Sequence, residues 1–317
     1  MQSGENHAPL SGSDGVTRNI AASVRARLAN QARENQRPFQ EVLQYYGLER
    51  FLYRFSLTQY CSRFLLKGAL MLRVWGAPGS RPTRDIDLLG YVDNEIGTLE
   101  TIVREACEIS AEDDGLRFDV TTVTGERIKE DAEYEGVRIR FIGYLENARI
   151  PIQLDIGFGD VVHPPAAEKA FPTILDFPAP RLRMYPRETV VAEKFEAMIY
   201  LGTLNSRMKD FFDIWLLSRQ FDFVGNELAV AIANTFENRE TELESDPVAL
   251  TAAFTATENT NRQWAAFIRR SNLPSAPATL EEIRLPLRQF LVPVATAIVE
   301  GRDFAELWSA GGPWRYR

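Results

Sequence analysis

The texture of the chain changes once, at a proline-dense stretch over residues 164–186, and that change limits the fold more than any other feature. Ahead of it, short apolar or alternating runs at 85–92, 117–123, 137–144 and 150–156 read as strands, and the break at 146–149 makes the last two a hairpin. Helical patterns lie among them: from Thr17, a good N-cap, to about Glu34; from Pro38 onward; 69–75 after the turn at Gly68; and 94–109. Beyond the prolines the pattern is helical, at 187–201, 208–219, near 226–238 and on to the C-terminus. Strands with interspersed helices, followed by helices alone, predict an α/β or α+β layer and then a helical unit. The expected division is a flexible tail over 1–16, a core over 17–165, a linker over 166–186 and a helical domain over 187–317.

Composition narrows the chemistry. Two cysteines, Cys61 and Cys107, build no disulfide framework, and two histidines, His7 and His163, exclude a histidine-rich metal centre. With no long apolar run and a polar N-terminus lacking a signal-peptide core, the expectation is a reduced, cytoplasmic, soluble protein without membrane partners. The net charge of −8 is unevenly spread. Residues 1–84 carry twelve Lys/Arg against five Asp/Glu, a net of +7, and the remainder carries −15. Such asymmetry fits a local nucleic-acid or nucleotide surface, or simply solvated helix faces.

The densest candidate chemistry is Lys67-Gly68-Ala69 followed by Thr83-Arg84-Asp85-Ile86-Asp87-Leu88. In a strand, Asp85 and Asp87 project to one face while Ile86 and Leu88 enter the core. Two adjacent carboxylates repel unless a cation lies between them, and oxygen-only ligands suit Mg²⁺ with substrate phosphates. A polar strand edge or turn-capping aspartates would give the same pattern. In the strand ending Gln153-Leu154-Asp155-Ile156, Asp155 falls opposite the apolar side. It either completes a three-carboxylate site for two metal ions or caps the following glycine turn. Lys194 shares an apolar helix face with Val190, Ala197 and Met198, and Asp210 and Asp213 sit three apart on the next helix. That arrangement suits a structural Lys194–Asp bridge, a substrate site, or both.

Taken in order, Lys67-Gly68-Ala69, Thr83-Arg84-Asp85-Ile86-Asp87-Leu88, Glu193-Lys194-Phe195-Glu196-Ala197 and Arg207-Met208-Lys209-Asp210-Phe211-Phe212-Asp213 resemble the AbiEii/AbiGii-type nucleotidyltransferases. These are toxins of a bacterial type IV toxin–antitoxin and abortive-infection class that includes the MenT proteins. The resemblance covers roughly residues 17–220. It implies an α+β, polymerase-β-like core with a mixed sheet, followed by a helical domain, and an NTP-dependent transferase with a cognate antitoxin. MenT-type members add nucleotides, often pyrimidines, to the tRNA acceptor end and so block aminoacylation; the AbiEii branch is tied to GTP.

Carried over by position, Asp85 and Asp87 match the metal pair. Asp155 as a third ligand, in a site for two Mg²⁺ ions, is a reading of the strand pattern. Lys194 matches the helix lysine that would neutralise the triphosphate, and Asp210 and Asp213 match the last motif. Lys67, Gly68, Thr83 and Arg84 fall at the expected nucleotide-binding element. Two departures stand out. Ala69 replaces the usual Ser or Gly after Gly68, and the Gly68-to-Asp85 spacing is long, leaving Thr83 to supply a hydroxyl. A protein or small-molecule acceptor, or a GTP-binding module without RNA transfer, is the alternative to an RNA acceptor lying along the basic N-terminal face.

Overall fold

The computed structural model describes residues 20–111, 113–130, 134–273 and 276–316. The tail expected over 1–16 and the N-cap expected at Thr17 lie outside the described residues. Two helices, α1 (Ile20–Glu34) and α2 (Phe39–Ser56), lead into β1 (Phe64–Lys67), the short α3 (Leu70–Val74), β2 (Asp85–Gly90) and α4 (Ile96–Glu108). Then come β3 (Leu116–Glu130), β4 (Tyr134–Leu145), β5 (Ala148–Phe158), β6 (Ala167–Ala170) and β7 (Arg181–Met184). These strands form one mixed sheet of seven in the order β3-β4-β5-β2-β1-β7-β6. β2 runs parallel to β5 and antiparallel to β1, which in turn runs parallel to β7.

The stretch expected as a linker over 166–186 therefore supplies two strands of the main sheet. β6 is exposed along its whole length, so it has no alternation to read, whereas Leu182 and Met184 of β7 are buried. The helical part follows as α5 (Arg187–Leu201), α6 (Met208–Gln220), α7 (Gly225–Asn238), α8 (Ala252–Thr255), α9 (Glu258–Ser271) and α10 (Leu280–Val299), with a small second sheet of β8 (Phe223–Val224), β9 (Leu307–Trp308) and β10 (Trp314–Arg315). α10 begins with a reciprocal cap between Thr279 and Glu282. Among the described residues no helix is long and apolar enough to cross a membrane.

Strand alternation divides the core in two. Phe64, Leu66, Ile86, Leu88, Ile152, Leu154 and Ile156 pack with α1, α2 and α4 in one apolar cluster. Leu65 and Leu89 point the other way and join the cluster built by the C-terminal helices. The residues that share that second face, Lys67, Asp85, Asp87 and Asp155, lie where the helices stand off the sheet.

The fully buried charge cluster of the first half is far from this face in character. Asp114 accepts from Arg50, from both terminal nitrogens of Arg54 and from the Leu116 N–H, and Tyr46 donates to its carbonyl, so its carboxylate is satisfied within the protein.

Candidate active site

The sheet register sets four charged residues in a row. Lys67 of β1 pairs with Asp87 of β2, Asp87 with Asp155 of β5, and Asp155 with Arg138 of β4. Two acids thus sit side by side at the centre, flanked by cations, with Asp85 two residues along on the same face of β2. Gly68 makes this packing possible. Its φ of 72° is a left-handed conformation, and a Cβ there would collide with the Asp87 carboxylate. The row forms one wall of a cleft of about 420 Å³ closed by α5 and by the start of α6.

Each flanking cation is held. Arg138 donates to both oxygens of Asp155 at 2.7 Å, and Gln153 donates to one of them at 3.2 Å. Asp155 therefore does not cap the glycine turn; it faces the cleft, fixed by its cross-strand arginine. Lys67 donates to Asp160 at 2.7 Å and lies 3.3 Å from Glu193. Arg239 of the loop after α7 bridges Asp160 and Glu196, both at 2.8 Å. Burial alone would raise Asp160, but Lys67 and Arg239 outweigh it and hold its carboxyl below the usual range. Glu193 has the opposite balance: burial and the Asp160 charge push it up to about 7.

On the facing wall, Lys194 contacts Asp210 at 2.6 Å and Asp213 at 2.9 Å. Arg207 supports Asp210 at 2.6 Å, and Arg81 supports Asp213 at 3.0 Å. Burial works against ionising all three groups, yet the mutual attraction wins: both carboxyls are lowered and the Lys194 ammonium is raised. The structural bridge expected between Lys194 and the acids of α6 is thus present, and the Lys194 side chain still borders the cleft.

Asp85 is raised above the ordinary carboxylate value by burial and then by the charge of Asp155, against the opposing pull of Arg138, Lys209 and Arg84. Lys209 also borders the cleft. Protein packed around its ammonium, with Lys194 and Arg207 near, draws its pKa below the usual lysine value, and among the described residues no carboxylate lies within 4 Å of it.

Of the residues expected from sequence, Asp85, Asp87, Asp155, Lys67, Gly68, Thr83 and Lys194 come together around the cleft. Asp210 and Asp213 lie fully buried behind Lys194. Arg84 is exposed and does not border it. Thr83 is held by its backbone N–H, which donates to the Tyr45 hydroxyl at 3.0 Å. Sequence reasoning gave no site role to Arg81, Arg138, Asp160 or Arg239, and Glu193, Glu196 and Lys209 entered it only as members of the family motifs. Arg138 had a signal, because a two-residue turn at Glu146-Asn147 places it opposite Asp155. Asp160 and Arg239, 79 residues apart, had none. The three acids Asp85, Asp87 and Asp155 share a face, but among the described residues no three His, Cys, Asp or Glu side chains converge as they would around an ion.

An α+β chain with paired strand acids facing a cation-lined cleft is fitted to a polyanionic, phosphorylated substrate. A family model described as nucleotidyl transferase AbiEii toxin, type IV TA system, matches residues 50–284, and the chain belongs to that family: it is a nucleotidyltransferase of the toxin class. Two solved structures from Helicobacter pylori are similar to it. JHP933 aligns with 14% identity and a TM-score of 0.45 over 83% of this chain and 94% of that one. A putative nucleotidyltransferase aligns with 14% identity and a TM-score of 0.45 over 84% of this chain and 99% of the other. No curated protein matched the sequence.

Proposed function

We propose that the protein transfers a nucleoside monophosphate from an NTP to RNA, at the 3′ acceptor end of tRNA, and thereby blocks translation until a cognate antitoxin protein restrains it. The observation that supports this is the row Lys67–Asp87–Asp155–Arg138 with Asp85 beside it. In the reaction the acceptor 3′-hydroxyl gives up its proton to water as its oxygen attacks the α-phosphorus, the bond from that phosphorus to the bridging oxygen of the β-phosphate breaks, and pyrophosphate leaves with the electron pair.

The donor set fits Mg²⁺. Asp85 and Asp87 present only oxygen ligands from one strand face, with the Asp155 carboxylate in register with Asp87 on the neighbouring strand. Asp85 and Asp87 would hold the ion; when bound, it neutralises phosphate charge. Asp155 would join them as a third ligand only by loosening its grip on Arg138. Lys209 and Lys194 border the space opposite the acids and would meet the triphosphate there, Lys194 already oriented by Asp210 and Asp213.

The RNA acceptor draws support from the +7 excess of residues 1–84, although that excess is not one surface. Arg50 and Arg54 are buried on Asp114, and Lys67 and Arg81 turn into the cleft. Arg25, Arg27, Arg33, Arg63 and Arg84 remain exposed for phosphate contacts. The test is incubation with each α-labelled NTP, Mg²⁺ and, separately, total tRNA, bulk protein and a small-molecule extract. Label in tRNA is the expected result. Label confined to protein or small molecules would overturn the acceptor, and no label in any fraction would overturn the transfer itself.

A further inference from the structure

The loop that carries Arg81 and Thr83 into the cleft turns its alternate residues the other way. Ser80 and Pro82 face a second cavity of about 310 Å³, closed by α1, α2 and the end of α3 and separated from the acids by that loop. Its volume is that of a small-ligand pocket. Its polar lining includes Gln31, Asn35, Arg37, Tyr45 and Arg73, with Glu41 as the counter-charge. Asn35 already donates its amide N–H to the Gln31 side-chain oxygen at 3.1 Å, and Gln31 donates to Glu34 at 3.3 Å. Arg37 is paired with Glu41 at 3.2 Å.

Arg73 is different. It is half-buried, its guanidinium lies 5.0 Å over the Tyr45 ring, and among the described residues no carboxylate lies within 4 Å and no acceptor is hydrogen-bonded to it. A guanidinium has five N–H donors in a fixed fork suited to phosphate, and its plane also stacks on bases. Withdrawing such a group partly from water without an anion is unfavourable, and stacking on one aromatic face offsets only part of that. Tyr45 ties this cavity to the chemistry, because its hydroxyl accepts from the N–H of Thr83, two residues before Asp85.

We propose that this second cavity is a subsite for one nucleotide of the acceptor RNA, with a backbone phosphate on Arg73 and the side-chain oxygen of Asn35 facing the base. The inference rests on the reading that the acceptor is RNA. A cation beside an aromatic ring with amide groups nearby is the composition that grips single-stranded nucleic acid. An NTP placed on Asp85 and Asp87 leaves this space open on the far side of the loop, where a bound acceptor strand continues away from its reacting 3′ end. The subsite thus sets the affinity for the acceptor and not for the NTP.

The experiment is steady-state transfer from labelled NTP to total tRNA by the full chain and by Arg73→Gln, varying tRNA and NTP independently and repeating at several salt concentrations. The expected result is a KM for tRNA raised roughly tenfold, an unchanged KM for NTP, and a salt slope reduced by about one. Asn35→Asp, at an exposed position, places a negative charge at the same cavity and should raise the same KM if Arg73→Gln fails to fold. Unchanged KM for tRNA in a folded variant overturns the subsite while leaving RNA transfer standing; a cavity that receives an acidic protein segment would give that result. Failure of the unmodified protein to label any RNA overturns the acceptor reading and the subsite with it.

Discussion

The two faces of β1, β2 and β5 carry the same strands through opposite fates. One face presents Phe64, Leu66, Ile86, Leu88, Ile152, Leu154 and Ile156, each no more than 2% exposed. The other carries Lys67, Asp85, Asp87, Gln153 and Asp155 beside the buried Leu65 and Leu89, and keeps a cleft of about 420 Å³ over its charged residues. The apolar face supplies the stability that lets the polar face hold acids side by side at its centre. Replacements on the two faces should therefore separate folding from turnover.

The largest effect is expected at Asp87. Asp87→Ala, and equally Asp85→Ala, should cut nucleotide transfer by roughly 10²–10³ or more while leaving the melting temperature close to that of the unmodified protein. Gly68→Ala offers a second route to the same loss, since its Cβ would displace the Asp87 carboxylate from a position that already demands positive φ. On the opposite face, Leu88→Ala should cost about 2–5 kcal/mol in denaturant unfolding while the folded fraction keeps its turnover. A Leu88 variant with normal stability but no activity would break the division between the faces.

Lys194 lies where the two roles meet. Lys194→Met leaves Asp210 with Arg207 and Asp213 with Arg81, so the loss of stability should be about 3 kcal/mol, at the low end for a broken buried ion pair. The proposed contact with the triphosphate adds a raised KM for NTP or a lowered kcat. Lower stability with unaltered kinetics would confine Lys194 to holding α5 against α6.

The smallest effects are in pH dependence. Because Asp210 and Asp213 are lowered in the folded state, their contribution is present above the ordinary carboxylate pKa of about 4 and lost as pH falls through the lowered values. Glu193 has the reverse sign. Raised to about 7, its carboxyl favours the folded state below about pH 4.5, and that contribution is lost as pH rises towards 7. Chemical denaturation from pH 5 to 8 should show stability falling in the unmodified protein and a flatter profile in Glu193→Gln. Equal slopes would remove Glu193 from the titrating groups.

Much of this division is legible in the amino-acid sequence. Alternation around Asp85-Ile86-Asp87-Leu88 separates the faces, and alternation in β5 turns Asp155 away from the apolar side; the parallel pairing of β2 with β5 that sets it beside Asp87 has no local signal. The family motifs point to Lys194, Asp210 and Asp213, and the structure shows that all three meet. What stays hidden is held by distance or by a lack of pattern. The Lys67–Asp160–Arg239 bridge joins three segments that no local period connects. β6 lacks alternation because neither of its faces is covered. Arg81 sits in a Gly/Pro loop, where nothing local distinguishes a solvated arginine from one that reaches Asp213. The charge count of residues 1–84 misleads for the same reason: it cannot tell Arg50 and Arg54, sealed against Asp114, from Arg27 on the surface.

The central claim is that the acidic face of β2 is the centre of nucleotide transfer. Its most direct test is one gel: α-labelled NTPs, Mg²⁺ and total tRNA incubated with the unmodified protein, Asp87→Ala and Leu88→Ala, at equal concentrations of folded protein. Label in tRNA from the unmodified and Leu88 proteins, and none above background from Asp87→Ala, is the predicted result. Labelling by Asp87→Ala at the unmodified rate would contradict it.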